Sequence, residues 1–331
     1  MSADALRAIR RLLPDAEILQ NSTPEAALYG GAYSEPPTLR QATVAEGTIL
    51  RAIRVPNEPQ VRFAAFLDGI QHVRILSHWR GVPIILGTVA AVVRVREQRW
   101  FVTWERRGPM IARCLYLPRC YIPGIEAADV DGFEIVDTAE VPPGTPLPSR
   151  HPGALRACAI DRIRADRERL ERQLAATWCA HEEAPICIDG GVSGIHGGEK
   201  GSAACAVGVI KSHQTLYADG DALTTVLSLA AGERSSVFRI EPRRLSSKGG
   251  SADRATVVSW YLRLRDPHGE DAMFGLVRVE AMDVGDMTAR ADELSAWILA
   301  ESAPLSLPDG RWDKMLYGIR DCEEFLRAIA S

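Results

Sequence analysis

The order in which strand-forming and helix-forming segments alternate constrains this chain more than any single motif. From Val61 the sequence passes through "VRFAAFL", "HVRIL", "VPIILGTVAAVVRVR" and "RWFVTW", the last pair joined by "EQR". Runs so rich in β-branched and aromatic residues, separated by short breaks, read as a meander of antiparallel strands. The period then changes. Between Ala154 and about His181, Leu155, Ile160, Ile163, Leu170, Leu174 and Trp178 recur at helical spacing among charged residues, which predicts one long helix. Beyond it, "ICID" and "ACAVGVIK" read as short buried strands and "DALTTVLSLAAG" as a compact helix closed by Gly232. "SVFRI", "TVVSWYLRL" and "MFGLVRVEA" follow as three more strands, and helices near 285–301 and 321–330 close the chain. Gly-rich loops are expected at "GGVSGIHGGEKGSA" and "LSSKGGSAD". This order predicts an α/β fold with one mixed central sheet flanked by helices. Residues 1–60, an amphipathic helix followed by a stretch containing "GGAYSEPPTLRQ", are expected to form a helix and extended arm ahead of a domain spanning 61–331.

Charge and cysteine usage narrow the class. The net charge of −4 gives no global basic field. Arginines do cluster, with Arg94, Arg96, Arg99, Arg106 and Arg107 in one stretch and Arg162, Arg164, Arg167, Arg169 and Arg172 in another. They interleave with acids, so a solvated helix face and a nucleic-acid contact both stay open. No run approaches the roughly 18 apolar residues of a membrane span, and the N-terminus lacks the apolar core of a secretory signal. The seven cysteines are scattered without a C-x-x-C pair, which fits reduced thiols and a cytoplasmic protein. Cys187 and Cys205 read as small buried hydrophobes; a zinc site from Cys114 and Cys120, or from Cys179 and His181, is the weaker reading.

The chemistry-bearing feature is a repeated sentence. "AAFLDG" and "ICIDGG" each drive an oily strand into an aspartate followed by glycine, at Asp68 and Asp189. A carboxylate at the end of a buried strand is costly unless something pairs with it. Both aspartates are expected at the carboxyl ends of their strands, where the following glycine frees the backbone to turn away. If the strands are neighbours, the two like charges call for a cation, and a hard divalent ion such as Mg²⁺ or Mn²⁺ suits oxygen ligands. Lys211, one of four lysines, ends an apolar strand and can offset charge on a phosphate. Glu280 stands inside a strand beside Arg278, and Glu168 and Glu171 lie on the long helix. An acidic cluster with a lysine on a sheet rim suits phosphodiester hydrolysis.

Taken in order, "FLDG", the long Arg/Glu helix leading into "ICIDGG", "VGVIKSH" and "LVRVE" resemble the NurA nuclease family over roughly residues 60–330. The resemblance implies an RNase H-like fold and Mn²⁺ or Mg²⁺ bound by Asp68, Glu171 (Glu168 being the rival) and Asp189. Lys211 matches the lysine after the next strand, and Glu280 joins the catalytic set. It further implies 5′-to-3′ exonuclease and single-strand endonuclease activity on DNA, a homodimer, and a hexameric HerA-like ATPase as partner in end resection or phage defence. Family members often carry a histidine on the last helix near the metal. "WDKMLYGIRDCEEFLRA" has none, so Asp321, Glu323 or Glu324 is expected in its place. Two other readings use the same residues: an actin- or sugar-kinase-like phosphotransferase, and an RNase H-like module that binds DNA or the ATPase without cutting.

Overall fold

A computed structural model describes residues 2–18, 37–122, 125, 129–130, 132–139, 146–147, 149–195, 203–240, 257–302 and 312–330. The loop expected at "LSSKGGSAD", residues 196–202 of the Gly-rich stretch, and residues 19–36 of the expected arm lie outside them. The described residues form one α/β body around a large mixed sheet.

The sheet grows from a long hairpin. "VRFAAFL" and "HVRIL" are a single strand, β1 (Ala65–Trp79), paired antiparallel with β2 (Val82–Glu97). Arg80 and Gly81 join them with φ +48° and +80°, the two positive values that a tight hairpin turn needs to match strand twist. A bulge between Ile75 and Ser77 absorbs the length. Trp100–Thr103 folds back on the end of β2, as "EQR" predicts. β3 (Met110–Leu117) then pairs antiparallel with β2, and β4 (Phe133–Asp137) pairs parallel with β3. Neither β3 nor β4 was anticipated.

The long helix is α2 (Pro152–His181); α1 is Ser2–Leu12. Pro152 opens α2 and the His151 side chain accepts the Gly153 N–H at 3.1 Å, satisfying one orphan donor of the first turn. α2 lies across the hairpin, where Gly87 makes room: a side chain there would strike the Tyr116 ring and Ile163. After α2, β5 (Ile186–Asp189) runs parallel to β1 and β6 (Ala206–Ile210) runs parallel to β5. α3 (Gly220–Leu227) intervenes before β7 (Val257–Arg263) and β8 (Leu276–Met282), which complete the order β7-β8-β6-β5-β1-β2-β3-β4. α4 (Met287–Glu301) and α5 (Tyr317–Ala330) close the chain, α5 starting four residues earlier than expected.

Helices cover both faces, which is why the central strands are apolar without alternation. Leu67, Ile186, Ile188 and Ala206 pack under α2 on Ile160, Ile163, Leu170 and Leu174. Phe66, Cys187, Val207, Val209 and Val279 face the other way onto Leu294, Ile298, Ile319 and Leu326 of α4 and α5. Gly318 lets α5 come down on the Phe66 ring, with no space left for a side chain. The described part of residues 1–60 is stitched into this body and not held out as an arm. α1 buries Ala5, Ala8 and Ile9 against Leu76, Ile84 and Leu115. At the opposite edge, Thr43–Val44 pairs with Phe238–Arg239 and Ala52–Arg54 with Glu233–Ser235. Among the described residues no helix is long and apolar enough to cross a membrane.

Candidate active site

Two parallel neighbours bring the acids together. Ile188 of β5 stands opposite Leu67 of β1, so one step further along both strands Asp189 lies beside Asp68. β6 flanks β5 on its other side with Val209 opposite Asp189, and Lys211, two residues on, reaches back so that its Nζ is 3.1 Å from Asp189 Oδ2. The group occupies the sheet face that α4 and α5 cover.

Asp68 is not at a strand end. It is the fourth of fifteen residues in β1, which runs on through Gly69 to Trp79. Its side chain is only 3% exposed. Oδ1 accepts the N–H of Gly69 at 2.7 Å, while Oδ2 has no hydrogen-bond partner. Burial, followed by the negative charge of Asp189, pushes the Asp68 carboxyl well above its ordinary range; Lys211 pulls it back, and Glu171 and Glu323 add to the push. Lys211 feels the reverse. Burial works against its ammonium, yet Asp189 and Asp68 together hold its pKa above the usual value.

The two glycines that follow the aspartates have different reasons to be there. Gly190 has φ +135° and turns the chain away after Asp189, in a backbone region L side chains rarely adopt. Gly69 stays in the strand. A Cβ on it would strike Glu171 Oε1 and come within 3.0 Å of the Ala90 carbonyl. The bare backbone is thus the opening through which α2 lowers Glu171 towards the aspartates from the opposite face. Glu171 is buried and paired with Arg167 one turn earlier. Burial lifts its carboxyl to about 7, Arg167 opposing and Asp189 contributing. Its rival Glu168 is 44% exposed and pairs loosely with Arg172 at 3.8 Å.

Glu280 does not join this group. It stands opposite Gly208, which in turn stands opposite Ile188, so it projects from the other sheet face. There Oε1 accepts from Arg278 at 2.6 Å and Oε2 accepts the N–H of Val192 at 3.0 Å. Gly191 leaves the space for it, since a Cβ would lie 2.7 Å from Oε2. Glu280 therefore holds the turn that follows Asp189. Among the acids of α5, Asp321 is taken by Arg94 at 2.6 Å and Glu324, 61% exposed, by Arg320 at 2.8 Å. Glu323, itself paired with Arg327 at 3.5 Å, is the one whose charge reaches Asp68. The sequence offered these three without order, because which face of α5 meets β1 is decided by the fit of Gly318 on Phe66. Arg167 went unassigned, although its i,i+4 spacing to Glu171 was the signal for a counter-ion.

The arginine clusters are largely spent internally. Arg96 pairs with Glu301, Arg106 with Glu182, Arg162 and Arg169 with Asp166, and Arg164 with Asp161. Neither zinc reading gathers its ligands: Cys114 Sγ faces Glu134, Cys179 Sγ lies 3.1 Å from Cys205 Sγ, and His181 Nδ1 lies against the Thr177 carbonyl.

The donor chemistry at the aspartates fits a hard divalent cation. Both side chains are carboxylates, and Oδ2 of Asp68 is buried without a hydrogen-bond partner. Among the described residues no group of three or more His, Cys, Asp or Glu side chains is gathered to hold a metal ion. Mg²⁺ is commonly held by one or two carboxylates with substrate phosphates completing the shell, so the Asp68–Asp189 pair suits an ion that arrives with its substrate better than a resident one. Comparison with known protein families found no family model that matches the chain, and comparison with curated proteins found no match.

Proposed function

We propose that the chain is a metal-dependent DNA nuclease, as its resemblance to the NurA family implies. The observation that carries this reading is the buried, half-bare carboxylate of Asp68 beside Asp189, compensated by Lys211. A fold gains nothing in stability from such an arrangement, so its cost points to a ligand that is both cationic and anionic by parts, a metal ion with a phosphodiester. The order of a strand meander, a long helix and then parallel strands ending at Asp189 and Lys211 supports the RNase H-like part of the reading.

In this mechanism Asp68 and Asp189 would hold Mn²⁺ or Mg²⁺ from the α4/α5 face, and Glu171 would complete the acidic wall from the α2 side. When bound, the ion would activate a water for attack on phosphorus and stabilise the leaving oxygen. Lys211, paired with Asp189 at 3.1 Å, is placed so that its ammonium would offset charge on the phosphoryl oxygens of a bound substrate. Glu280 keeps the turn after Asp189 in place by holding the Val192 N–H. Glu323, the α5 acid whose charge is felt at Asp68, would take the place of the family's last-helix histidine in this reading. The same reading makes the protein a cytoplasmic homodimer that receives DNA from a hexameric HerA-like ATPase, in end resection or phage defence.

The test is cleavage of end-labelled single- and double-stranded DNA with Mn²⁺, Mg²⁺ or EDTA, alone and with the ATPase. Degradation that needs metal and is lost in Asp189→Ala, with an unchanged circular dichroism spectrum, is the expected result. Binding of DNA without cleavage under every condition would instead favour the non-cutting module.

A further inference from the structure

Seven free cysteines are spread along the chain, and two of them meet. Cys179 lies in the last turn of α2, and Cys205 ends the short 3-10 turn Ala203–Cys205 that leads into β6. Their sulfurs stand 3.1 Å apart. A disulfide holds its sulfurs at about 2.05 Å, so a small side-chain rotation separates this contact from a bond. Both residues are half-buried and keep part of their surface in water. Arg290, at the start of α4, donates to the Ala204 carbonyl at 2.5 Å and so fixes the turn against the end of α2. Of the other five cysteines, Cys114, Cys187 and Cys322 are buried, and Cys120 and Cys158 are exposed.

The two thiols are not equivalent. The Cys179 S–H donates to Cys205, and this hydrogen bond holds the Cys205 thiol below its usual value against burial, with the backbone N–H and the Arg290 charge assisting. The same hydrogen bond, and then burial, push Cys179 well up. Burial also pushes up Cys114, Cys187 and Cys322. A part-exposed sulfur beside a cation is the one that ionises and attacks, and a protonated thiol in contact with it is the one that resolves the product.

We infer that Cys205 is a modification site for small hydroperoxides, and that Cys179 converts the first product into a disulfide joining α2 to β6. The Cys205 thiolate attacks one peroxide oxygen. An S–O bond forms as the O–O bond breaks, and the departing oxygen takes a proton to leave as alcohol or water. The Cys179 sulfur then attacks the Cys205 sulfur; the S–S bond forms, the S–O bond breaks, and hydroxide leaves with the Cys179 proton as water. Two electrons pass from the pair of sulfurs to the peroxide, and a dithiol returns them by exchange. The bond closes the loop from 179 to 205, which carries β5 and Asp189, and ties together the elements that bear Glu171 and Lys211. Because a closed loop restrains the unfolded chain, oxidation steadies this frame without touching the carboxylates. None of this depends on the nuclease reading.

The test exposes the reduced full chain to hydrogen peroxide, blocks the remaining thiols with N-ethylmaleimide and maps the peptides by mass spectrometry. Wild type is compared with Cys179→Ser, whose hydroxyl still donates to Cys205, and with Cys205→Ser. Circular dichroism checks that each variant folds, and Cys205→Ala stands in if the serine variant does not. Wild type should lose two of its seven thiols to a Cys179–Cys205 bond before any other cysteine reacts, and dithiothreitol should restore both. Cys179→Ser should stop at a sulfenic acid on Cys205, captured by dimedone. Cys205→Ser should consume peroxide at least about tenfold more slowly and leave Cys179 unmodified. Oxidised wild type should melt several degrees above the reduced protein. First oxidation at Cys120 or Cys158, peroxide consumption by Cys205→Ser at the wild-type rate, or dimedone capture at Cys179 would each overturn the assignment. An oxidised protein that melts below the reduced one would overturn it too, since the bond would then pull α2 and β6 out of place.

Discussion

At the scale of single residues, the site is a place where the chain gives up stability. Asp68 is buried with one bare oxygen, next to a second aspartate, and its charge is disfavoured first by burial and then by that neighbour. Asp68→Asn removes the charge, keeps the oxygen that accepts the Gly69 N–H, and leaves Lys211 with Asp189. In EDTA the variant should therefore be more stable than wild type by about 1–2 kcal/mol, on the scale of removing a buried charge that stands beside a like charge, and should melt a few degrees higher. The same variant should have no detectable nuclease activity. Opposite signs for stability and activity are what a functional carboxylate gives and a structural one does not. A variant that melts below wild type in EDTA would show that Asp68 is held by an interaction the fold needs, and would remove the reason for placing a metal there.

At the scale of elements, the meeting of α2 with β1 and β2 depends on two glycines, Gly69 and Gly87, each facing a side chain that would collide with a methyl group. Gly69→Ala forces the Glu171 carboxylate back or lifts the helix, and overpacking of this kind costs about 1–3 kcal/mol. Glu171→Ala removes the obstacle, so the double variant should recover most of that loss, with a coupling energy of at least about 1 kcal/mol in a urea-melt cycle. Additive losses would mean that the Ala90 carbonyl, 3.0 Å from the same position, is what excludes the side chain. This pair also shows where sequence reading stops. The helix, the strand "ICID" and the two Asp-Gly steps are visible because each is a local pattern of period or punctuation. The role of Gly69 is not, because a glycine that admits a carboxylate from 102 positions away looks like any Asp-Gly turn. "MIARCLYL" escaped for a related reason: it is half-buried where it starts and fully buried where it ends, so neither strict alternation nor a continuous apolar run marks it. Glu280 looked like a site residue because its register, fixed by β6, is invisible in its own segment.

At the scale of the whole molecule, the edge beyond β7 is held by buried charge. Arg234, fully buried, donates to Glu46 at 2.7 Å and to Asp292 of α4 at 2.5 Å, tying the N-terminal segment to the far edge of the sheet and to the helix behind it. Against its burial, the Arg234 hydrogen bond holds the Glu46 carboxyl below its ordinary value, so that contribution to stability is present above the ordinary carboxylate range and is lost only as the pH falls through the lowered pKa. Higher on the pH scale two terms of opposite sign meet. Glu171, lifted to about 7, is relieved as the pH falls from 7 towards its ordinary 4.5, which favours the folded state. His213 does the reverse. Burial, and then the charges of Lys314, Arg278 and Arg263, lower its pKa to about 4 against the hydrogen bond its Nε2 makes to the Leu276 carbonyl at 2.8 Å. Between pH 6.5 and 4 the unfolded chain takes up a proton that folded His213 refuses, so stability drains away through that window and levels off below it. The two terms mask each other in the wild-type profile, and the comparison that isolates one is His213→Gln, which keeps a donor for Leu276 and does not titrate. The stability of this variant relative to wild type should rise by about 2 kcal/mol as the pH is lowered from 7 to 4, less than the whole shift would give because the ring keeps some contact with water. Urea melts at half-unit steps of pH read the difference directly. A difference that stays flat across the window would mean that the imidazole is protonated in the folded chain, and that the three cations around it lie further from the ring than their charges require.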